Sequence, residues 1–240
     1  MSLSLLGYKE TLSIFILFLL LLFIFSIISL RNYSGVMKKK EKFSKLFSKS
    51  NSINILSASR VFLFGARDIW FVVGVPIFFY DKLSWSFTEV GSFMVSWIIF
   101  YGIIQSLAPK LLKIFYRNNF SENEQAFIWA IKLLLIIACL GILSYTYDYN
   151  GYLICMGLFL FGFIFAINSS IHSYLILALA KKNDVTLDVG FYYMANAMGR
   201  LLGCIISGFS YQIAGLIGCF VFAGIFLFFC SVFSFYLKSY

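Results

Sequence analysis

The twenty residues from Arg60 to Phe79 are long and apolar enough to cross a bilayer, yet Arg67 and Asp68 stand side by side near their middle. A hydrocarbon core of about 30 Å takes roughly 20 helical residues. An ionisable group at that depth is costly, so it marks a function or a partner held elsewhere in the protein. Neighbouring residues on a helix point about 100° apart. The two charges are therefore expected to face different directions and to find separate partners, on other helices or on a ligand.

Composition places this segment in a chain full of similar ones. Of 240 residues, 61% are hydrophobic and 12% are charged, against roughly 25% charged in a soluble domain. The fold class expected is all-α and polytopic, embedded in a membrane. The ten-residue alternation of a membrane β-barrel is absent. The net charge of +9 does not point to nucleic acid, because eight basic residues and one acidic residue fall between Arg31 and Arg60. A compact basic loop between apolar runs is a positive-inside signal, so the lipid bilayer is the first partner. Cys139, Cys155, Cys204, Cys219 and Cys230 have no paired spacing. They read as small buried hydrophobes, with no metal site or other cofactor indicated.

In chain order, residues 1–30 form a first transmembrane helix. Its apolar run from Leu12 to Leu30 is longer than that of a signal peptide, has no small-residue cleavage site and meets a basic stop-transfer loop. Residues 31–54 make that cytoplasmic loop, with Lys38, Lys39, Lys40, Lys42, Lys45 and Lys49. Phe43, Leu46 and Phe47 are spaced for one stripe of a surface helix, with a disordered tether as the alternative. Residues 55–240 hold six further spans. They run from Ile55 to about Tyr80, Val90 to Ala108, Phe127 to Tyr145, Tyr152 to Ala180 and Asp188 to Phe209. A tight turn from Gln212 to Gly215 precedes the last, which ends near Tyr236. Seven spans in a cell membrane put the N-terminus outside and the C-terminus in the cytoplasm. Lys110, Lys113, Arg117, Lys181 and Lys182 then fall in inner loops, and Asp148 in an outer turn.

Polar residues recur inside these spans: Arg67 and Asp68, Gln105, Lys132, Asn168 with His172, and Asn196 with Arg200. The last two pairs are spaced i,i+4 and so share a helix face. Lys132 reads as an anchor that snorkels to the surface, and His172 as a satisfied interfacial histidine. Arg67 and Arg200 then lie deep against the single carboxylate of Asp68. An oxyanion between them restores the balance, because arginine binds carboxylate and phosphate-like oxygens bidentately. The rival is neutralisation by carboxylates on helices outside this chain. For Asp68, an ion pair, a gate and a proton-coupling role stay open. The expected substrate path is lined by Arg67, Asp68, Trp70, Gln105, Asn168, Asn196 and Arg200. Gly199 with Gly203, and Gly208 beside Ser207, suggest a close helix seam.

Three stretches carry a resemblance: Ser59 to Pro76 after the basic loop, including Phe64-Gly65-Ala66-Arg67-Asp68; Gly91 to Pro109, including Trp97, Gly102 and Gln105; and Ala195 to Gly208, including Asn196, Gly199, Arg200 and Gly203. Together they resemble the second half of a major facilitator superfamily carrier, and more closely the organoarsenical efflux permeases of the ArsJ type. The resemblance implies helices 6 to 12 of a twelve-span carrier. It also implies secondary-active export of a 1-arseno-3-phosphoglycerate-like anion, made by a companion glyceraldehyde-3-phosphate dehydrogenase. A facilitator of that kind works by rocking two halves, and here the first five helices are missing. The readings left by that departure are a separately encoded N-terminal half, a split or truncated gene, and a misassigned start. Export of another organic anion, or a nonfunctional truncated carrier, are the alternatives to arsenical export. A seven-span receptor would need more cytoplasmic surface than the short loops provide. A membrane enzyme would need clustered carboxylates or a His/Asp array, so the chain is not expected to be an enzyme.

Overall fold

The computed structural model describes residues 7–30, 50–115, 121–146, 150–180 and 185–238, and the regular structure among them is helical. The basic loop with Lys38 to Lys49, the Phe43/Leu46/Phe47 stripe, Arg117, Asp148, Lys181, Lys182 and Asp184 lie outside these residues. The chain divides into two compact units, Met1–Phe43 and Ser44–Tyr240. The first contains α1 (Tyr8–Leu30), an almost uninterrupted run of Leu, Ile and Phe. The second contains α2 (Asn51–Ile69), α3 (Val75–Asp81), α4 (Phe87–Phe115), α5 (Glu122–Thr146), α6 (Gly151–Leu179) and α7 (Val185–Lys238). A π-helical turn, Trp70–Gly74, joins α2 to α3 into one span. Six helices among the described residues are long and apolar enough to cross a membrane. The protein is thus an all-α, multi-pass membrane-spanning fold.

Short polar signals start the helices. Ser50 caps α2 by accepting from the Ile53 N–H. Ahead of α4, Ser86 N–H donates to Glu89 Oε2 while Glu89 N–H donates to Ser86 Oγ. The same reciprocal pair joins Ser121 and Glu124 ahead of α5. Both are capping boxes, Ser-x-x-Glu, which satisfy amide groups the first turn leaves free. Asn150 caps α6 through the amides of Tyr152 and Leu153.

Two prolines lie inside membrane-length helical stretches without ending them. Pro109 does not end its span, and α4 continues through it to Phe115. Pro76 sits at the start of α3 without breaking the span. Proline cannot donate and crowds the carbonyl four residues back, and the preceding π turn widens the helix there. Ser207 Oγ accepts from the amides of Val73 and Gly74, 3.3 Å from each, and steadies that turn.

The last two expected spans are one helical run. Only Ala214 (φ −144°, ψ 26°) and Gly215 (φ 58°, ψ −147°) leave helical geometry, so the turn expected over Gln212–Gly215 is tighter than anticipated. Gly215 occupies a backbone region in which a side chain would be strained. The chain doubles back at this point. Cys219 Sγ lies 3.4 Å from Ser210 Oγ, and the rings of Phe209 and Phe222 stand 6.5 Å apart.

Contacts within the second unit fix the directions of its helices. Along α2, Arg60, Gly65 and Gly74 meet Asn196, Gly203 and Ser207 in rising order on the first arm of α7, so the two run parallel. On the second arm, Ser59, Gly65 and Gly74 meet Cys230, Phe226 and Cys219, so that arm runs the other way. Trp70 packs on Phe161 while Phe64 packs on Phe165, which makes α6 antiparallel to α2. By the same logic α4 follows α6, through Phe93–Phe159 and Tyr101–Phe165, and α5 opposes the second arm of α7, through Phe127–Phe235 and Ile137–Gly224. Successive segments of this unit alternate in direction, with α2 buried between α6 and both arms of α7.

The expected glycine seam sits at the α2–α7 contact. A Cβ on Gly199 would collide with the Val61 carbonyl, and one on Gly203 would lie 2.7 Å from the Gly65 carbonyl and 2.9 Å from Asp68 Cβ. Gly208, by contrast, has open space around it and takes no part. Gly199→Leu should therefore lower stability by about 1–3 kcal/mol, the usual cost of overpacking. Gly208→Leu should leave it unchanged. Thermal unfolding of the two detergent-solubilised variants checks this, and equal melting temperatures would contradict the seam.

Candidate functional site

Asp68 is the only carboxylate that the described part of α2 places inside the bundle, and its side chain is 1% exposed. Both of its oxygens are engaged. Arg67 donates from Nε to Oδ1 at 2.6 Å and closes on the same oxygen with a terminal nitrogen. Arg200, from the first arm of α7, donates from Nε to Oδ2 at 3.1 Å. Separate partners for Arg67 and Asp68 were expected, and half of that expectation fails. Adjacent Cα–Cβ bonds do diverge, but the long arginine stem curls back and brings the guanidinium onto the neighbouring carboxylate. The interhelical ionic partner, Arg200, belongs to Asp68, while Arg67 reaches another helix through the Phe165 ring. Gly203 makes this contact feasible, since a side chain there would displace Asp68.

Two turns earlier on the same face of α2 lies Arg60, which is 4% exposed. It has no carboxylate partner among the described residues. Its Nε donates to Asn196 Oδ1 at 3.1 Å, and one terminal nitrogen donates to the Ser169 carbonyl at 3.2 Å and to Ser169 Oγ at 3.1 Å. Tyr101 O–H stands 3.4 Å from that hydroxyl. The guanidinium carbon lies 3.9 Å from the centre of the Phe64 ring and 5.0 Å from that of Tyr192. Arg67 approaches Phe64 as well, at 5.2 Å, and Phe165 at 5.5 Å. One phenylalanine thus touches both cations, spaced i,i+4 and i,i+3 from it along the helix. An aromatic ring face attracts a guanidinium, by roughly 2 kcal/mol where water is excluded, but it cannot neutralise the charge.

The structure brings five of the seven expected path residues to this region. Arg67, Asp68 and Arg200 form the ionic cluster, Asn196 holds Arg60, and Asn168 precedes Ser169 on the buried face of α6. Neither the amide nitrogen nor the oxygen of Asn168 has a hydrogen-bond partner among the described residues. Trp70 is fully buried in an aromatic wall, with Trp97, Phe161 and Phe71 rings 5.2–5.6 Å away and its indole N–H unpartnered. Gln105 is half-buried on α4, one turn beyond Tyr101, and makes no hydrogen bond among the described residues. The expectation for His172 is overturned. It is fully buried, because it shares the inward face of α6 with Ser169 and Ile176, and both ring nitrogens are unpartnered among the described residues. Lys132, expected to snorkel, carries its ammonium over a ring, 4.0 Å from the centre of Trp129.

Arg60, Ser169, Phe64 and Tyr192 were missed. The signal for Arg60 was present in the sequence: it lies seven residues before Arg67, on the same helix face. Its position at the edge of the apolar run made it look like a flank. Among the described residues, no cluster of His, Cys, Asp and Glu has the makings of a metal site. The arrangement is a helical, membrane-embedded one of the transport kind, with charged groups from several helices meeting inside an apolar bundle. No protein-family model, curated protein or solved structure matches the chain.

Removing the shared carboxylate leaves two guanidiniums facing each other. Asp68→Asn should cost about 3 kcal/mol, as for a buried ion pair that loses one partner. Arg200→Ala should cost less than about 1 kcal/mol, because its side chain is 57% exposed. Unfolding curves for both variants in one detergent give the comparison, and the reverse order would rule out Asp68 as the hub.

Proposed function

We propose that this chain is a secondary carrier, or the C-terminal part of one, that moves an oxyanion across the membrane by conformational change. The observation that carries the reading is a local imbalance: Arg60, Arg67 and Arg200 have between them one carboxylate partner among the described residues, Asp68, and the other buried acid, Asp188, pairs with none of the three. Uncompensated cations at that depth are unfavourable unless an anion or water reaches them. A guanidinium fork is suited to a phosphate or carboxylate, so the cargo is a small organic oxyanion. The resemblance to facilitator carriers narrows it to a phosphorylated organoarsenical. The same resemblance supplies proton exchange as the driving force and a dehydrogenase as the source of the cargo. No chemical conversion is assigned to the chain.

In this reading the two arms of α7 cross separately and, with α1, make seven passages, N-terminus out and C-terminus in. The alternating directions found from α2 onward support it. The exposure of Arg200 supports a second element of the proposal. An arginine in the middle of a span does not face hydrocarbon at low cost. Its face of α7 therefore borders a watery path, and a separately encoded N-terminal half is the partner that would close it.

The test is export of labelled organoarsenical, with arsenate tolerance alongside, in cells carrying the complete locus. Arg67→Ala should reduce export roughly tenfold or more, the scale of one charge-assisted hydrogen bond at about 1.5–3 kcal/mol. Unchanged export by a normally inserted Arg67→Ala protein would rule out a cargo bound at this cluster.

A further inference from the structure

Arg60 has a feature the Asp68 cluster lacks. Its charge is enclosed, yet everything that touches it is neutral: an amide oxygen, a carbonyl, a hydroxyl and two aromatic rings. Deprotonation offers no escape, since arginine keeps its proton in proteins. A guanidinium has five N–H donors. The bonds present use Nε and one terminal nitrogen, so the other terminal nitrogen has no partner among the described residues.

A second observation points to a ligand. Asn168 and His172 flank the Ser169 that Arg60 holds, and both are fully buried with every side-chain nitrogen and oxygen unpartnered among the described residues. Buried polar groups without partners are rare and unfavourable. Here they accumulate beside a cation that no carboxylate balances. Packing does not demand them, because leucine or phenylalanine would fill the same positions more favourably.

We propose that Arg60, with Ser169, Asn196 and the polar face of α6, is a second oxyanion-binding station, separate from the Arg67–Asp68–Arg200 cluster. It rests on the reading of the bundle as an anion path and gives that path two steps. Seven residues separate the two arginines on α2, about 10 Å of rise. Phe64 lies between them in contact with both. An anion leaving one station slides past this ring to the other. Aromatic contact keeps each vacant guanidinium in place without holding the anion.

The station is tested on the full chain in lipid nanodiscs. Inorganic phosphate is titrated at constant ionic strength in chloride, and the melting temperature is followed by tryptophan fluorescence. Wild type should be stabilised in a saturable way. Arg60→Met should keep the wild-type melting temperature or exceed it without phosphate, yet need about tenfold or more phosphate for the half-maximal shift. Asn168→Leu should move both quantities in the same directions. Should Arg60→Met not fold, Arg60→Lys takes its place: it keeps the charge but loses the fork, so its half-maximal phosphate should rise severalfold. A wild-type phosphate response in folded Arg60→Met or Arg60→Lys, with the response lost in Arg67→Met, would leave the carrier reading intact and eliminate this station. No response in wild type would remove both.

Discussion

Charge in a medium that cannot solvate it governs this structure. Hydrocarbon offers no hydrogen bonds and little dielectric screening, so each ionised group must be met by protein, water or ligand. Asp68 meets the requirement fully, with one oxygen closed by Arg67 and the other by Arg200. Arg60 meets it only in hydrogen-bond terms. The contrast between these two sites on one helix is what supports the proposed anion path.

Backbone proximity makes the ionic cluster feasible. Because lipid tails are as apolar as leucine, burial contributes little to helix association in a membrane, and close packing and polar contacts matter more. Gly199 and Gly203 let α7 approach until its surface meets the Val61 and Gly65 carbonyls. Only at that separation does Arg200 reach Asp68 without stretching across another side chain. The same crossing continues outward to Ser207, whose hydroxyl satisfies two amides of the π turn. One seam thus serves packing, the ion cluster and the helix irregularity together.

The aromatic wall has a matching role on the other side of α2. Trp97 donates its indole N–H to the Leu158 carbonyl at 2.8 Å, and a Cβ on Gly162 would lie 3.0 Å from that nitrogen. Trp70, Phe161, Phe165 and Phe64 extend the wall from there to the arginines. Rings are rigid, present a negative face to cations and exclude water. They therefore hold guanidiniums in place while leaving N–H donors available, a combination an acidic wall would not provide.

Local chemistry was legible along the chain. Apolar runs of span length located the membrane-length helices among the described residues, although the last two expected spans are one helical run, and i,i+4 spacing put Asn196 with Arg200 and Asn168 with His172 on shared faces. Both kinds of inference depend only on helix periodicity, which the sequence determines residue by residue. It could not reveal that Arg67 would curl onto its own neighbour, because that depends on side-chain reach and on what surrounds the stem. Nor could it show that Arg60 lies inside rather than at a flank, that His172 faces inward, or that the turn at Ala214 and Gly215 leaves α7 a single helical run. These follow from which faces touch once the helices pack, and packing is decided by contacts between residues more than a hundred positions apart. The sequence alone determined that this is a bundle of membrane helices carrying buried charge. Only the tertiary structure decided which charges are neutralised, because neutralisation is a property of pairs brought together in space.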